Sequence, residues 1–302
     1  MDVQQYAAGT RPAGGAVNGI VLLDKPEGLS SNTALQKVKR LIGAAKAGHA
    51  GTLDPLATGM LPILLGEATK LAGHLLHKDK AYSVGCRLGQ TTTTYDSEGA
   101  VTADRPVPAL DRAALEAVLR PFTGRVRQRA PVYSAIKQGG QPLYRLARRG
   151  QDVVAPEREV AIHAIRIDGH EGDRVDLTVE CGSGTYIRSL VHDFGQVLGC
   201  GAHVTRLRRL WVDPFRGRSM VSLEDIENGA DCLLPLEVAV SGWPVLRLDA
   251  GQVLAIRQGR GVAIDDIPDG VLAGFDGDGR LVALLGKAAD GLLRPQRVIN
   301  PT

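Results

Sequence analysis

Four residues scattered along the chain have the side-chain types needed for covalent chemistry on a flat substrate: Asp54, Tyr82, Tyr186 and Arg188. Asp54 stands in "GHAGTLDPLATGML" (48–61), between glycine-bearing turns and directly before a proline. A carboxylate used as a nucleophile must stay ionised where water is excluded. A guanidinium beside it keeps its pKa low and fixes its direction through a bidentate pair. Arg188, in "GTYIRSL", supplies such a group, and the rings of Tyr82 and Tyr186 offer faces for stacking. Each residue also has an ordinary structural reading. Asp is a favoured N-cap and Pro a favoured first helical residue, so "DPLATGML" reads as the start of a short helix just as readily. A strand tyrosine is usually core, and an arginine in a helix's first turn is usually solvated. Spacing alone does not pair these four residues.

The elements that must position them follow from hydrophobic period. "GIVLLDKPEG" reads as a buried strand ending at a Pro-Glu-Gly turn. "SSNTALQKVKRLIGAA" reads as a helix capped by Ser31 or Asn32, with Leu35, Val38, Leu41 and Ile42 on one face. In "AYSVGCRLG", Tyr82, Val84, Cys86 and Leu88 alternate with Ser83, Gly85 and Arg87, which predicts a half-buried strand. "PALDRAALEAVLRPFTG" is a helix closed by Pro121 and Gly124, and "REVAIHAIRIDG" and "RVDLTVEC" form a strand pair. "GSGT" then turns into a helix with Ile187, Leu190, Val191, Phe194 and Leu198 inward, followed by the strand "HVTRLRRLWVDPF". Several strand pairs close in sequence predict an α+β fold with a mixed, mainly antiparallel sheet. Residues 1–16 read as a flexible tail without the features of a secretory signal, and 17–242 as the main domain. From 243 to 302 charge thins and segments shorten. "VLAGF" and "RLVALL" around "DGDG" read as a hairpin of a small all-β domain joined near "SGWP" (241–244).

The formal net charge of +3 hides a strong asymmetry. Residues 124–150 carry Arg125, Arg127, Arg129, Lys137, Arg145, Arg148 and Arg149 and no acid, a local charge of +7 that leaves −4 on the remainder. Concentrated positive charge on an otherwise acidic chain is how a phosphate-binding surface is built. Tyr133 and Tyr144 lie among these cations, placed to stack on unpaired bases. Two glycines and two prolines interrupt the segment, which reads as an insertion of loop and short helix. A second acid-free span from Gly28 to Leu53 holds Lys37, Lys39, Arg40, Lys46 and His49 and leads straight into Asp54.

Other chemistries are excluded on sequence. The Gly182–Gly184 turn lacks the third glycine of a dinucleotide fingerprint, where Ile187 stands. No P-loop, zincin or nucleophile-elbow motif is present, no histidine pair has metal spacing, and the four cysteines are scattered without a C-x-x-C pair. Cys86, Cys181, Cys200 and Cys232 read as free thiols of a reducing cytoplasm. No apolar run approaches the roughly 18 residues that span a bilayer.

"GHAGTLDPLATGMLPILLGEATK" resembles the signature loop of the pseudouridine synthases, in the TruB family that modifies uridine 55 of tRNA. The likeness extends in order through "GIVLLDKPEGLSSN", "YSVGCRLGQTTTTYDSEG", "APVYSAIKQGGQPLYRLARRG" and "GTYIRSLVHDFGQVLGCGAHVTRLRR", nearly the whole chain. It implies that Asp54 attacks the target uridine, whose base is detached, rotated and rejoined through C5. By motif, Tyr82 would stack on the flipped uracil and Arg188 would pair with Asp54. Tyr186 would line the pocket, Asp96 orient Arg188, His49 wedge into the space of flipped nucleotides, and Lys25 support the loop. The basic insertion, with Lys137, Tyr144 and Arg145, matches the family's RNA-gripping thumb, and 243–302 resembles the small RNA-binding PUA module. The resemblance implies tRNA as partner, no cofactor or metal, no obligate protein partner, and a cytoplasmic monomer. Thr93 stands where the family often has Asp, while Asp96 is kept. Two rivals stay open: a guide-RNA-dependent synthase subunit, and an RNA-binding or folding factor without catalysis. The basic insertion and the retained Asp54, Tyr82 and Arg188 favour a stand-alone enzyme.

Overall fold

Strands whose side chains alternate between two buried faces make up the centre of the protein. The computed structural model describes residues 17–300 apart from 135, 150, 152 and 265–267, and the side chains at 137, 142, 144 and 148 lie outside the described residues, as does the expected tail 1–16. In chain order the strands are β1 (Gly19–Lys25), β2 (Ala47–His49), β3 (Thr58–Leu65), β4 (Lys80–Leu88), β5 (Gln90–Thr92), β6 (Val101–Asp104), β7 (Gly124–Arg129), β8 (Lys137–Gln138), β9 (Gln141–Pro142), β10 (Glu157–Glu171), β11 (Arg174–Cys181), β12 (Ala202–Val212), β13 (Val245–Arg247), β14 (Val271–Phe275), β15 (Leu281–Lys287) and β16 (Leu293–Val298). The α-helices are α1 (Ser31–Ile42), α2 (Ala72–Leu76), α3 (Arg112–Leu119), α4 (Leu143–Arg148), α5 (Ile187–Val197), α6 (Leu223–Glu227) and α7 (Ala250–Arg257).

The main sheet runs β1-β3-β12-β4-β11-β10-β7, with β2 also on β3. Every pairing in it is antiparallel except β12 with β3. Period-two alternation divides its apolar residues between two cores. Val21, Leu23, Leu61, Ile63, Tyr82 and Val84 face α1, α3 and α5, whose Leu35, Val38, Leu115, Leu190 and Phe194 complete that layer. Ile20, Leu22, Met60 and Leu64 point the other way and meet Ala273, Phe275, Leu281 and Leu284 of the β13-β14-β15-β16 sheet. The fold is therefore α+β, with the small C-terminal β domain packed on the back of the main sheet.

Four local expectations change. No helix follows Asp54: Ala57 N–H donates to the Asp54 carbonyl at 3.0 Å in a single turn, and the chain then enters β3. The run "MLPILL" is buried on both faces, which suits a central strand better than a short surface helix. The cap of α1 is Ser30, whose hydroxyl accepts from Thr33 N–H at 3.0 Å, so Ser31 is released for another task. Residues 124–129, expected as loop, form the edge strand β7 on β10, because "RVRQR" alternates and leaves Arg125, Arg127 and Arg129 outward. The C-terminal domain is not all-β. Asp249 caps α7 in a capping box with Gln252, a signal hidden in "LDAGQ".

Gly59 shows how tightly β3 and β12 are fitted. Its φ is +96°, and a Cβ there would fall 2.2 Å from the Arg209 carbonyl oxygen. Gly59→Ala combines backbone strain with overpacking, each costing roughly 1–3 kcal/mol. Urea denaturation is expected to show a loss of about 3 kcal/mol or more, with an unchanged m-value.

Candidate active site

The Asp54 loop, between β2 and β3, is fastened from behind at three points. Ser31, free of capping duty, donates to the Leu53 carbonyl at 3.0 Å and accepts from Leu53 N–H at 2.8 Å. Lys25, fully buried at the end of β1, donates to the carbonyls of Pro26 (2.8 Å), Leu29 (2.7 Å) and Pro55 (3.3 Å). Arg209 of β12, also buried, donates from Nε to the Met60 carbonyl at 2.7 Å and from Nη2 to the Gly51 carbonyl at 3.1 Å. Carbonyls on both sides of Asp54 are thus tied to buried cations, so its carboxylate is aimed by the loop and does not wander with it.

Arg188, in the first turn of α5, meets that carboxylate from the front. Its Nη2 lies 3.0 Å from Asp54 Oδ2, and its Nη1 lies 3.3 Å from Asp96 Oδ2. The same two nitrogens donate to the carbonyls of Thr94 and Tyr133, both at 2.9 Å. Side-chain exposure grades outward, from 2% at Asp96 to 5% at Arg188 and 35% at Asp54. Asp96 accepts from Glu98 N–H at 3.1 Å and from the Thr94 hydroxyl. Its turn is braced by Tyr95, which holds φ +64° with its ring stacked 3.8 Å from that of His192, one helical turn beyond Arg188. The start of α5 is fixed in turn by Gln128 of β7. That amide donates to the Tyr186 carbonyl at 2.9 Å and accepts from Tyr186 N–H at 2.7 Å.

In front of Asp54 lies a cavity of about 350 Å³ walled by Tyr82, Tyr186, Ile187, Arg188 and Leu207, within the range of small-ligand sites. A second hollow of about 970 Å³ shares Asp54 and Arg188 and continues past His49, Asp96 and Glu98. The structure therefore gathers Asp54, Tyr82, Tyr186 and Arg188 on one cavity and His49 and Asp96 on its neighbour, while Lys25 stands behind the loop. Arg145 is exposed on α4 and lines neither hollow, and the side chains of Lys137 and Tyr144 lie outside the described residues. Thr93 borders the larger hollow. Among the described residues no group of His, Cys, Asp or Glu is arranged to hold a metal ion.

Electrostatics here set burial against charge. Burial pushes the Asp54 carboxyl above its ordinary value, Arg188 pulls it back, and the Asp96 charge adds to the rise. Burial lowers Lys25 to about 8 against the attraction of Asp54. It raises the Tyr82 phenol, which the charge and hydrogen bond of Arg209 oppose, and it lowers His49, with Arg209 adding to the drop. Glu98 is raised by burial and by its acidic neighbours Asp96 and Asp54.

Sequence reasoning passed over Ser31 as an anchor, Gln128, Lys80 and Arg209. The only sequence signal for Arg209 was an arginine at an inward position of the strand that faces Tyr82, and the β-bulge beside it, between Arg209 and Trp211, obscures the count.

A family model described as TruB family pseudouridylate synthase (N-terminal domain) matches residues 39–187, and one described as tRNA pseudouridylate synthase B C-terminal domain matches 188–241. The tRNA pseudouridine synthase B of Xanthomonas campestris pv. campestris is 52% identical over 291 residues, 94% of each chain. That of Xylella fastidiosa is 50% identical over 94% of this chain and 96% of its own. Among solved structures, a Cbf5-Nop10-Gar1 complex matches with TM-score 0.74 and 27% identity, covering 94% of this chain and 85% of the other. An H/ACA RNP bound to a substrate RNA containing 2′-deoxyuridine matches with TM-score 0.73 and 25% identity over 94% and 85%.

Among the described residues Arg188 is the one cation paired with both carboxylates, and removing it leaves like charges facing each other in a buried site. In Arg188→Met the Asp54 carboxyl, already raised by burial, loses the charge that pulls it back, so the folded state holds its proton more tightly than the unfolded chain does and stability falls as pH rises through the raised value. Urea denaturation is expected to show a loss of about 3–5 kcal/mol at pH 8, shrinking clearly at pH 5. A loss independent of pH would show that the guanidinium acts by packing alone.

Proposed function

The chain belongs to the TruB family of pseudouridylate synthases, and from that premise we propose that it isomerises uridine 55 in the T-arm loop of tRNA, unaided by guide RNA, with Asp54 as nucleophile. The observation that carries the proposal is the Asp54 carboxylate, paired with Arg188 at 3.0 Å and opening into a cavity walled by Tyr82 and Tyr186. A uracil stacked within an RNA loop is out of reach of a carboxylate so enclosed. The base must be flipped out, at a cost of a few kcal/mol that phosphate contacts and stacking offset.

In this reading Tyr82 stacks on the extruded uracil and Tyr186 lines its pocket. Arg188, oriented by Asp96, keeps Asp54 ionised and aimed. Asp54 forms a covalent bond to the target uridine, the C1′–N1 bond breaks, the ring turns, C5 joins C1′, and the bond to Asp54 breaks to return the free carboxylate. The C5 proton is lost and N1 gains one, so the isomerisation is redox-neutral and calls for no cofactor or metal. His49 fills the space vacated by flipped nucleotides, and Lys25 holds the loop. Segment 124–150, including Lys137, Tyr144 and Arg145, grips the RNA beside the exposed arginines of β7, and 243–302 acts as a PUA-like module. The protein works as a cytoplasmic monomer on tRNA without an obligate protein partner.

The Cbf5 structures give the rival reading, a subunit that works inside an RNA–protein complex. Identity of 50–52% to synthases named for tRNA, against 25–27% to Cbf5, supports the stand-alone enzyme.

The test is pseudouridine mapping on unmodified tRNA with chelator and no added cofactor. Wild type is expected to convert position 55, and Asp54→Asn to lose at least about 10⁴-fold in rate while binding RNA as before. Binding without conversion by wild type, or conversion by Asp54→Asn, would overturn the proposal. A second expectation concerns acid. The nucleophile works ionised, so the single-turnover rate should fall on acidification, with its midpoint above the ordinary 3.8 because burial raises Asp54. A midpoint at or below that value would contradict this role.

A further inference from the structure

Two cations that the mechanism above does not use, Lys80 and Arg209, also line the 350 Å³ cavity. Lys80 is 7% exposed and Arg209 1% exposed, and no ion pair to either is found among the described residues. Both close on one backbone point. A Cβ placed at Gly51 would lie 3.2 Å from Arg209 Nη1 and 3.7 Å from Lys80 Cε. Arg209 is also the cross-strand partner of Tyr82 in the β4–β12 register, so the charge sits beside the ring assigned to the uracil.

Buried lysines and arginines normally appear with a carboxylate, because an uncompensated charge in a dry site is costly. Here, among the described residues, the ammonium of Lys80 donates to the Leu76 carbonyl at 3.3 Å and to that of Lys78, while the Asp79 and Asp213 charges act on it without forming an ion pair. Burial, together with the Arg209 charge, brings Lys80 down to about 8. A methionine of similar length would fill the space without that penalty. Charge retained at a cost in stability points to work done on a substrate.

We propose that Lys80 and Arg209 form a cationic floor to the nucleobase cavity that stabilises the negative charge gathered on the uracil ring when its bond to the sugar breaks. The inference deepens the proposed function and rests on the cavity being the uracil site. When C1′–N1 breaks, the bonding electron pair stays on the ring and spreads from N1 over O2 and O4. Attack by Asp54 at C6 instead of C1′ also drives an electron pair onto the ring oxygens, so both routes create the same charge. Formation of C5–C1′, loss of the C5 proton and protonation of N1 return the ring to neutrality. Fixed cations that are themselves buried favour such transient charge more strongly than the neutral ground state.

The test compares wild type, Lys80→Met, Lys80→Gln and Lys80→Arg on a T-arm hairpin carrying uridine or 5-fluorouridine at the target. Fluorine makes the ring a better acceptor of negative charge, so a substrate that needs less stabilisation should suffer less from losing the cation. Lys80→Met and Lys80→Gln are expected to melt no lower than wild type and to bind the hairpin within about threefold. Their single-turnover cleavage of the glycosidic bond should be about 100-fold slower on uridine. That deficit should shrink to about tenfold or less on 5-fluorouridine, and Lys80→Arg should recover most of the rate. An equal deficit on both substrates, a loss confined to RNA affinity, or no deficit at all would overturn the inference. Failure of the underlying reading shows separately, as wild type that converts neither substrate or Asp54→Asn that converts uridine. If Lys80→Met does not fold, the ratio of the two substrates on Lys80→Gln decides.

Discussion

One guanidinium shared between two carboxylates sets the terms for the rest of the structure. Arg188 lies 3.0 Å from Asp54 and 3.3 Å from Asp96, and it is nearly inaccessible. A buried triad of this kind is stable only if its remaining hydrogen-bonding capacity is met and its members cannot drift apart. The surroundings meet that condition from four directions for every member but the Arg188 Nε, which is buried without a partner among the described residues. Thr94 and Tyr133 carbonyls receive the guanidinium, the 94–98 turn receives Asp96, Gln128 fixes the start of α5, and the loop carrying Asp54 is tied to Ser31, Lys25 and Arg209. Each tie comes from a different segment of the chain. The site is therefore a product of the whole main sheet and not of one motif.

Charge around the loop is unbalanced in an informative way. Lys25, Lys80, Arg188 and Arg209 are all buried, against Asp54 and Asp96 near them, and Lys25 and Lys80 are both depressed to about 8. The free protein thus keeps more buried cations than carboxylates in contact with them, a cost in stability only partly returned by the loop carbonyls that Lys25 and Arg209 hold. A polyanionic substrate that becomes more negative at its base during reaction is the complement such a site lacks. This trade of stability for preorganised charge follows the general pattern of active sites.

Much of this was legible in the sequence, but unevenly. Period-two alternation located β4 and β11, and period-3.6 patterns located α1 and α5, because each buries one face against a large core. Asp54, Tyr82, Tyr186 and Arg188 stood out by type, yet only the family resemblance brought them together, since spacing along a chain does not say which loops meet. Local competition defeated other readings. Ser30 and Ser31 both suit a cap, and the one that lost the cap became the anchor of Leu53. The prolyl turn after Asp54 mimics a helix start, while burial on both faces makes the following residues a strand. Arg209 escaped notice because "RLRRLW" offers three arginines, and two bulges in β12 break the count that would show which of them faces inward.

The two sides of the cavity are built differently, and Tyr186 joins them. The Asp54 side is part of the main sheet and its loop is pinned by buried cations. The opposite wall includes Ser134 and Ile136, from a segment that packs around its own small core of Ala130, Leu143 and Ala155. Tyr186 packs against that small core, lines the cavity, and precedes Arg188 by two residues. Gln128, near the end of β7 and within the basic segment, grips the Tyr186 backbone through both amide atoms. A displacement of the segment assigned to RNA contact is consequently felt at Tyr186, and at the guanidinium that aims Asp54 through the Tyr133 carbonyl as well. On the proposed function, grip on the RNA and alignment of the nucleophile are thereby mechanically linked through Tyr186 and the Tyr133 carbonyl, while the pinned loop supplies the fixed point against which that alignment is made.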